Sequence, residues 1–273
     1  MGMHAYQLLE SGEIIPRHEA GLKQVRDEGW FPSVTTKLKL PSSEFLDGWR
    51  QRKAILYTQQ NPKLPNESQE DYEKRIDYLV WQPRVRWDGV EFSSNDFGTQ
   101  CHAELEKWHE DQSYEFHRDW EFNCHGWPDT FRHHFSSVVE GEMMVACRLL
   151  KVAGTVDLLA IEQVSGMYAL CDFKFRPHEG KPETKARDKD CQQLALEADI
   201  IRRKMGLSYL PNCYTAIGCV DTGSWHVKLW SDKMVQKHLQ NALSVNLAYN
   251  VINGFETLEE AMESTRRVLA GEA

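Results

Sequence analysis

The sequence predicts an α/β protein: a central mixed β-sheet flanked by helices, with helical additions on its N-terminal side. Gly154-Thr155-Val156-Asp157-Leu158-Leu159-Ala160 and Ala169-Leu170-Cys171-Asp172-Phe173-Lys174-Phe175 are short runs in which apolar residues flank every charge, as in buried strands. Gln163-Val164-Ser165-Gly166 between them reads as a hairpin turn. Segments 95–111 and 186–205 instead repeat apolar residues three and four apart, the spacing of a core-facing helix. With 273 residues, 41% of them hydrophobic, the chain is long enough to bury one large core.

Taken in order, residues 1–30 are mixed and polar with little periodicity and read as a loosely attached arm. Residues 31–135 form a helical N-terminal part. Phe31-Pro32-Ser33-Val34-Thr35-Thr36 leads into a helix over 44–59, whose Phe45, Trp49 and Leu56 share a face, and Asn61-Pro62-Lys63-Leu64-Pro65-Asn66 breaks it. A second helix, 67–81, ends before Pro83, because the residue preceding proline disfavours the helical region. In the helix over 95–111, Phe97, Cys101, Leu105 and Trp108 line one face, with His102 and Glu106 stacked beside it. The aromatic, histidine-rich stretch 114–135 has no assignable structure. The sheet core, 136–230, holds strands at 137–147, 149–161, 167–175, 209–220 and 225–230. It also holds a Pro-, Gly- and Lys-rich loop at 177–185 and the helix over 186–205. Helices at 232–251 and 257–269 close the chain within 231–273, the second opened by a capping box of Thr257 and Glu260.

The formal charge of -9 argues against a protein that coats nucleic acid nonspecifically, a mode that needs a basic surface to displace counterions. It leaves room for an enzyme that gathers acids around a cation and Lys or Arg along a groove. Met1 to Tyr6 lacks the basic segment and apolar run of a signal peptide, and no apolar run reaches membrane-spanning length. A soluble, cytoplasmic protein without membrane contact is the expectation. The seven cysteines (Cys101, Cys124, Cys147, Cys171, Cys191, Cys213, Cys219) are odd in number and scattered, and read as reduced core residues.

Asp157, Asp172 and Lys174 stand out against this background. An unpaired buried carboxylate costs several kcal/mol, so two acids and a lysine on adjacent buried strands imply a metal or reacting phosphate that neutralises them. Asp157 and Asp172 converge if their strands pair in the right register, offering the hard oxygen ligands that Mg²⁺ or Mn²⁺ prefers. Lys174 shares a sheet face with Asp172, where it can orient or help deprotonate an attacking water and stabilise charge on a phosphate. The competing reading of Asp172 and Lys174 is a solvent-facing pair on an edge strand. For His102 it is a surface or core-satisfied histidine, for Glu142 an exposed strand acid, and for Gln193 a capping or surface amide. Cys124-His125 and His133-His134 lack zinc-finger spacing and read as a surface or DNA-contacting cluster, so no structural zinc is expected.

The order His102, Glu142, Gly154-x-x-Asp157, Asp172-Phe173-Lys174, then Gln193-Leu194 resembles the RecB-type branch of the PD-(D/E)XK nuclease superfamily. Gly98-Thr99-x-x-His102-x-x-x-Glu106 is similar to the helix that supplies this branch with its histidine. The entry segment Ser33-Val34-Thr35-Thr36, followed by an aromatic-rich helix with Trp49, is shared with phage-encoded exonucleases and the mitochondrial genome maintenance exonuclease. The resemblance spans about residues 33–248 and implies a core of the restriction-endonuclease type. It implies that His102, Asp157, Asp172 and the backbone carbonyl of Phe173 bind Mg²⁺, with Mn²⁺ as a substitute. Lys174 would be the catalytic lysine, Glu142 an acid at the rim, Gln193 a support or DNA contact, and Glu106 the partner that orients His102.

The implied activity is metal-dependent DNA hydrolysis, as an exonuclease of recombination, replication or repair. The implied partners are DNA and a recombination or single-strand-binding protein. DNA phosphates would meet Lys181, Lys185 and Arg187 after the catalytic strand, with Arg84, Arg86, Arg202, Arg203 and Lys204 as further candidates. Two departures are plain. Glu197 stands where the pattern has a tyrosine four residues after the glutamine, and only Cys213 and Cys219 approach the cysteine grouping that holds an iron–sulfur cluster in some relatives, so no cluster is expected. The alternative from a different class is a catalytically idle subunit of the same fold that binds nucleic acid or a protein.

Overall fold

A computed structural model describes residues 3–38, 58–59, 61–81, 84–87, 90–176 and 186–272. The expected arm is instead folded. β1 (Met3–Leu8) and β2 (Ile14–Ala20) pair antiparallel, α1 (Leu22–Asp27) follows, and β3 (Phe31–Pro32) completes a sheet in the order β2-β1-β3. Its interior is only Ala5, Ala20 and Val25, too little apolar surface to leave a periodicity in the sequence. α2 (Val34–Lys37) begins at Ser33, whose hydroxyl accepts the Thr36 N–H at 3.0 Å. The expected helix over 44–59 lies outside the described residues apart from its last two positions. α3 (Gln69–Trp81) matches its expectation closely, but β4 (Arg84–Trp87) and β5 (Val90–Ser93) form a hairpin where only helices were expected.

α4 (Ser94–Glu110) carries the His102 face. The unassigned stretch after it contains α5 (Arg118–Cys124) and α6 (Trp127–His134), each too short for periodicity to emerge. β6 (Phe135–Cys147), β7 (Val152–Glu162), β8 (Tyr168–Arg176), α7 (Asp188–Lys204), β9 (Asn212–Cys219) and β10 (Trp225–Leu229) then build the main layer, and α8 (Asp232–Ile252) and α9 (Leu258–Leu269) close it. The capping box of Thr257 and Glu260 is formed.

The five-stranded sheet runs β10-β9-β8-β7-β6, parallel between β8 and β9 and antiparallel elsewhere, so the protein is α/β with a mixed sheet flanked by helices. β8 is its central strand, which removes the edge-strand reading of Asp172 and Lys174. Strand alternation sends Leu158, Cys171 and Phe173 to one face, against Phe97, Leu105, Trp127 and Phe131. Leu159 and Leu170 go to the other face, against Leu194, Ile201 and Leu243 of α7 and α8. Each such buried side chain contributes about 1.5–3 kcal/mol. All seven cysteines are buried. Among the described residues no helix is long and apolar enough to cross a membrane.

One buried charge knits the N-terminal segment to the closing helices. Lys37 is fully buried and donates to Leu150 O at 2.9 Å, Asn246 Oδ1 at 2.9 Å and Asn250 Oδ1 at 2.6 Å. Three acceptors use all three ammonium protons. Burial pushes the Lys37 amine well down, and the Glu256 carboxylate works against that.

Candidate metal centre

The centre forms where the sheet forks. The β7–β8 ladder ends at the pair Leu158 and Cys171, and the next residue of β7 is Asp157. Its Oδ2 accepts the backbone N–H of Phe173 at 2.6 Å, across the gap that β8 leaves. Because the N–H and C=O of a strand residue point to the same side, the Phe173 carbonyl faces this gap as well. On the other flank, Gly141 pairs with Leu158 and Met143 with Val156, which places Glu142 opposite Asp157. Glu142 holds φ at 47°, a left-handed conformation that costs a non-glycine residue about 1–2 kcal/mol and breaks the strand's alternation.

α4 supplies the third group. His102 Nδ1 lies 3.7 Å from Glu142 Oε1 and 3.8 Å from Asp157 Oδ1, and one ligand atom from each of the three residues lies within 4.8 Å of the others. Ligands about 2.0–2.2 Å from one ion are separated by no more than about 4.4 Å, so small side-chain adjustments would close this trio on a cation. The imidazole is seated edge-on against Phe173 and Phe175, with ring centroids 5.9 and 5.7 Å away. Burial alone would lower the His102 imidazole, but the Asp157 and Glu142 carboxylates outweigh it and hold the group above its ordinary value.

Asp172 and Lys174 share the α7 side of β8, as their spacing requires. Asp172 is 2% exposed, and Lys174 Nζ donates to its Oδ1 at 2.5 Å. Asp172 Oδ2 is buried with no hydrogen-bond partner, the only carboxylate oxygen so placed among the described residues. Such an orphan costs at least about 1–3 kcal/mol and fits a ligand waiting for a cation. Asp172 stands outside the tight trio of His102, Glu142 and Asp157. Burial pushes the Asp172 carboxyl up to about 6, with Asp157 adding to it and Lys174 opposing. Burial opposes the charge on Lys174 too, but Asp172 and Asp157 outweigh it and raise the amine. Lys174 is therefore an ammonium at neutral pH, able to orient water and stabilise anionic oxygen but not to accept a proton.

α7 closes the site from behind. Glu197 is 1% exposed and takes a hydrogen bond from Gln193 Nε2 at 3.2 Å, so Gln193 supports the site through Glu197. Burial, then Asp172 and Asp157, push the Glu197 carboxyl well up, with the Gln193 hydrogen bond opposing. Gly154 admits this packing, since a Cβ there would lie 3.2 Å from Glu197 Oε1 and 3.3 Å from Val34 Cγ2. The glycine three residues before Asp157 is thus a packing requirement of α2 and α7.

Other expected residues are placed differently. No side-chain hydrogen bond or ion pair among the described residues joins Glu106 to His102: the imidazole faces Glu142 and Asp157, and Glu106 is itself held above its usual range by burial and the Glu142 charge. Arg187 is exposed at the start of α7, while Lys181 and Lys185 lie outside the described residues. Arg202 and Arg203 bind Asp199 at 2.9 and 2.8 Å within α7, and Arg203 also donates to Val268 O, so Arg203 serves the α7–α9 contact. Cys124 is buried while His125 is exposed with Nδ1 2.9 Å from Phe122 O, so these two do not aim at one ion. Glu197 was noticed only as a departure from the family pattern, because its burial behind Asp157 and Asp172 depends on contacts between segments far apart in the chain.

Compared with models of known protein families and with curated proteins, the chain matches none of them.

Proposed function

We propose that the protein is a Mg²⁺-dependent deoxyribonuclease with a restriction-endonuclease-type core, acting as an exonuclease in recombination, replication or repair. The observation that carries this reading is the meeting, at one sheet fork, of His102, Glu142 and Asp157 with Asp172 and Lys174. One imidazole and several carboxylates form a donor set suited to Mg²⁺ or Mn²⁺. His102, Glu142 and Asp157 would hold the ion, with the Phe173 carbonyl facing the same gap and Asp172, whose Oδ2 has no hydrogen-bond partner, on the adjoining strand. When bound, the ion would neutralise charge on a scissile phosphodiester and lower the pKa of a coordinated water.

The protein's own groups supply the rest. Lys174, held by Asp172, places an ammonium beside the carboxylates, where it can orient the attacking water and stabilise the phosphate oxygens. Glu197, buried behind the site, is held by the Gln193 amide. Arg187 offers a cation to the DNA backbone where α7 begins.

The test is incubation of end-labelled single- and double-stranded DNA with the purified protein, with Mg²⁺ and with EDTA. Mononucleotides or short products released only with Mg²⁺ are expected. Both single- and double-stranded DNA left intact in Mg²⁺ would reject a nuclease.

A further inference from the structure

β7 leans on two different neighbours along one edge. From Leu158 onward that edge is paired with β8. Before Leu158, where β8 has turned away, the N-terminal segment takes its place: Ser33 forms a parallel bridge with Ala153, and Tyr6 Oη lies 3.1 Å from Thr155 Oγ1. Asp157 sits between these two supports, two residues beyond Thr155. Tyr6 is firmly mounted, because β1 is the middle strand of its sheet and Tyr6 pairs with Pro16 on one side and Phe31 on the other.

We infer that Tyr6 is a positioning residue of the metal centre: through Thr155 its hydroxyl holds β7 beyond the fork, at the place where Asp157 meets Glu142 and His102. The inference rests on the metal-site reading and extends it to the N-terminal sheet. A strand that has lost one ladder can drift by a fraction of an ångström at little cost. Metal ligation tolerates only about 0.2 Å, so the same drift matters at the ion. Burial, aided by Glu197 and Glu142, holds the Tyr6 phenol above its usual value while Thr155 opposes, so a neutral hydroxyl sits near these carboxylates across the working pH range.

Calorimetric titration of the full chain with Mn²⁺ alone tests this, using Tyr6→Phe, Thr155→Val, the double variant and Thr155→Ser. Loss of either hydroxyl should weaken Mn²⁺ binding about tenfold, as loss of other groups that orient ligands does. The double variant should be no weaker than either single one, because both remove one interaction. Thr155→Ser should bind like the wild type, and each Tm should fall by no more than about 4 °C. Wild-type affinity in Tyr6→Phe, or losses that add in the double variant, would overturn the inference while leaving the metal site standing. A wild-type chain that binds no Mn²⁺ would overturn both.

Discussion

If His102 ligates a metal, as proposed, it decides how the site responds to acid. A ligand imidazole must be neutral, and the nearby carboxylates raise its pKa, so protons compete with the metal from a higher pH than for an ordinary histidine at about 6.5. Asp172, raised to about 6, joins that competition as pH falls further. Mn²⁺ affinity should therefore be full at alkaline pH and decline steadily through neutrality and below. In His102→Ala the upper part of this decline should vanish along with most of the affinity, whereas an unchanged profile would make His102 a bystander. Lys174→Ala separates binding from chemistry. Removing an ammonium beside the ligands should leave Mn²⁺ affinity equal or tighter, while the single-turnover cleavage rate drops about 10²–10³-fold.

At the scale of elements, much of the site was legible. The apolar frames around Asp157, Asp172 and Lys174 pointed to buried charges, of which Asp172 is buried and Asp157 and Lys174 half-buried, and strand spacing gave Asp172 and Lys174 one face. The fork itself was hidden, because a strand sequence does not say where its ladder ends, and neither the left-handed Glu142 nor the bridge to Ser33 has a local signature. The packing of α4 against α6 was half hidden: α4 shows its apolar face by period, but α6 is too short to show one. That packing contains a pH-sensitive joint. His109 is 7% exposed, stacks on Phe173 and accepts the Trp127 Nε1–H at 3.0 Å through Nε2, so it must be neutral at that atom. Burial, with a smaller contribution from His102, lowers its imidazole to about 4. The unfolded chain then binds the proton more readily than the native one. Stability from this group is present above pH 6.5 and lost as pH falls through 4, a change of about 3 kcal/mol. Denaturant titrations at pH 7 and pH 4 should show His109→Gln losing less stability than the wild type over that interval.

At the scale of the whole molecule, distant segments assemble one site. The N-terminal sheet supports β7, α4 brings the histidine, the forked strands bring the acids, and α7 seals the far side. Lys37 fastens this assembly, since its ammonium joins α2, the β6–β7 turn and α8 in a place without solvent. Lys37→Ala would strand the side-chain oxygens of Asn246 and Asn250, leaving Leu150 O only its bond from Asn250 Nδ2, and by analogy with a broken buried ion pair should cost about 3–5 kcal/mol in chemical denaturation. A loss below about 1 kcal/mol would show that water replaces the ammonium.

The central claim is that the charges gathered at the fork bind a cation for phosphodiester hydrolysis. Asp157→Asn tests it most directly, because the amide oxygen can still accept the Phe173 N–H while the ligand charge is gone. The measurement is the single-turnover rate of end-labelled DNA cleavage in Mg²⁺, taken beside Tm for the wild type and the variant. A rate at least about 10²-fold lower at nearly unchanged Tm is the predicted result, and a variant that cleaves at the wild-type rate would contradict a metal centre at this fork.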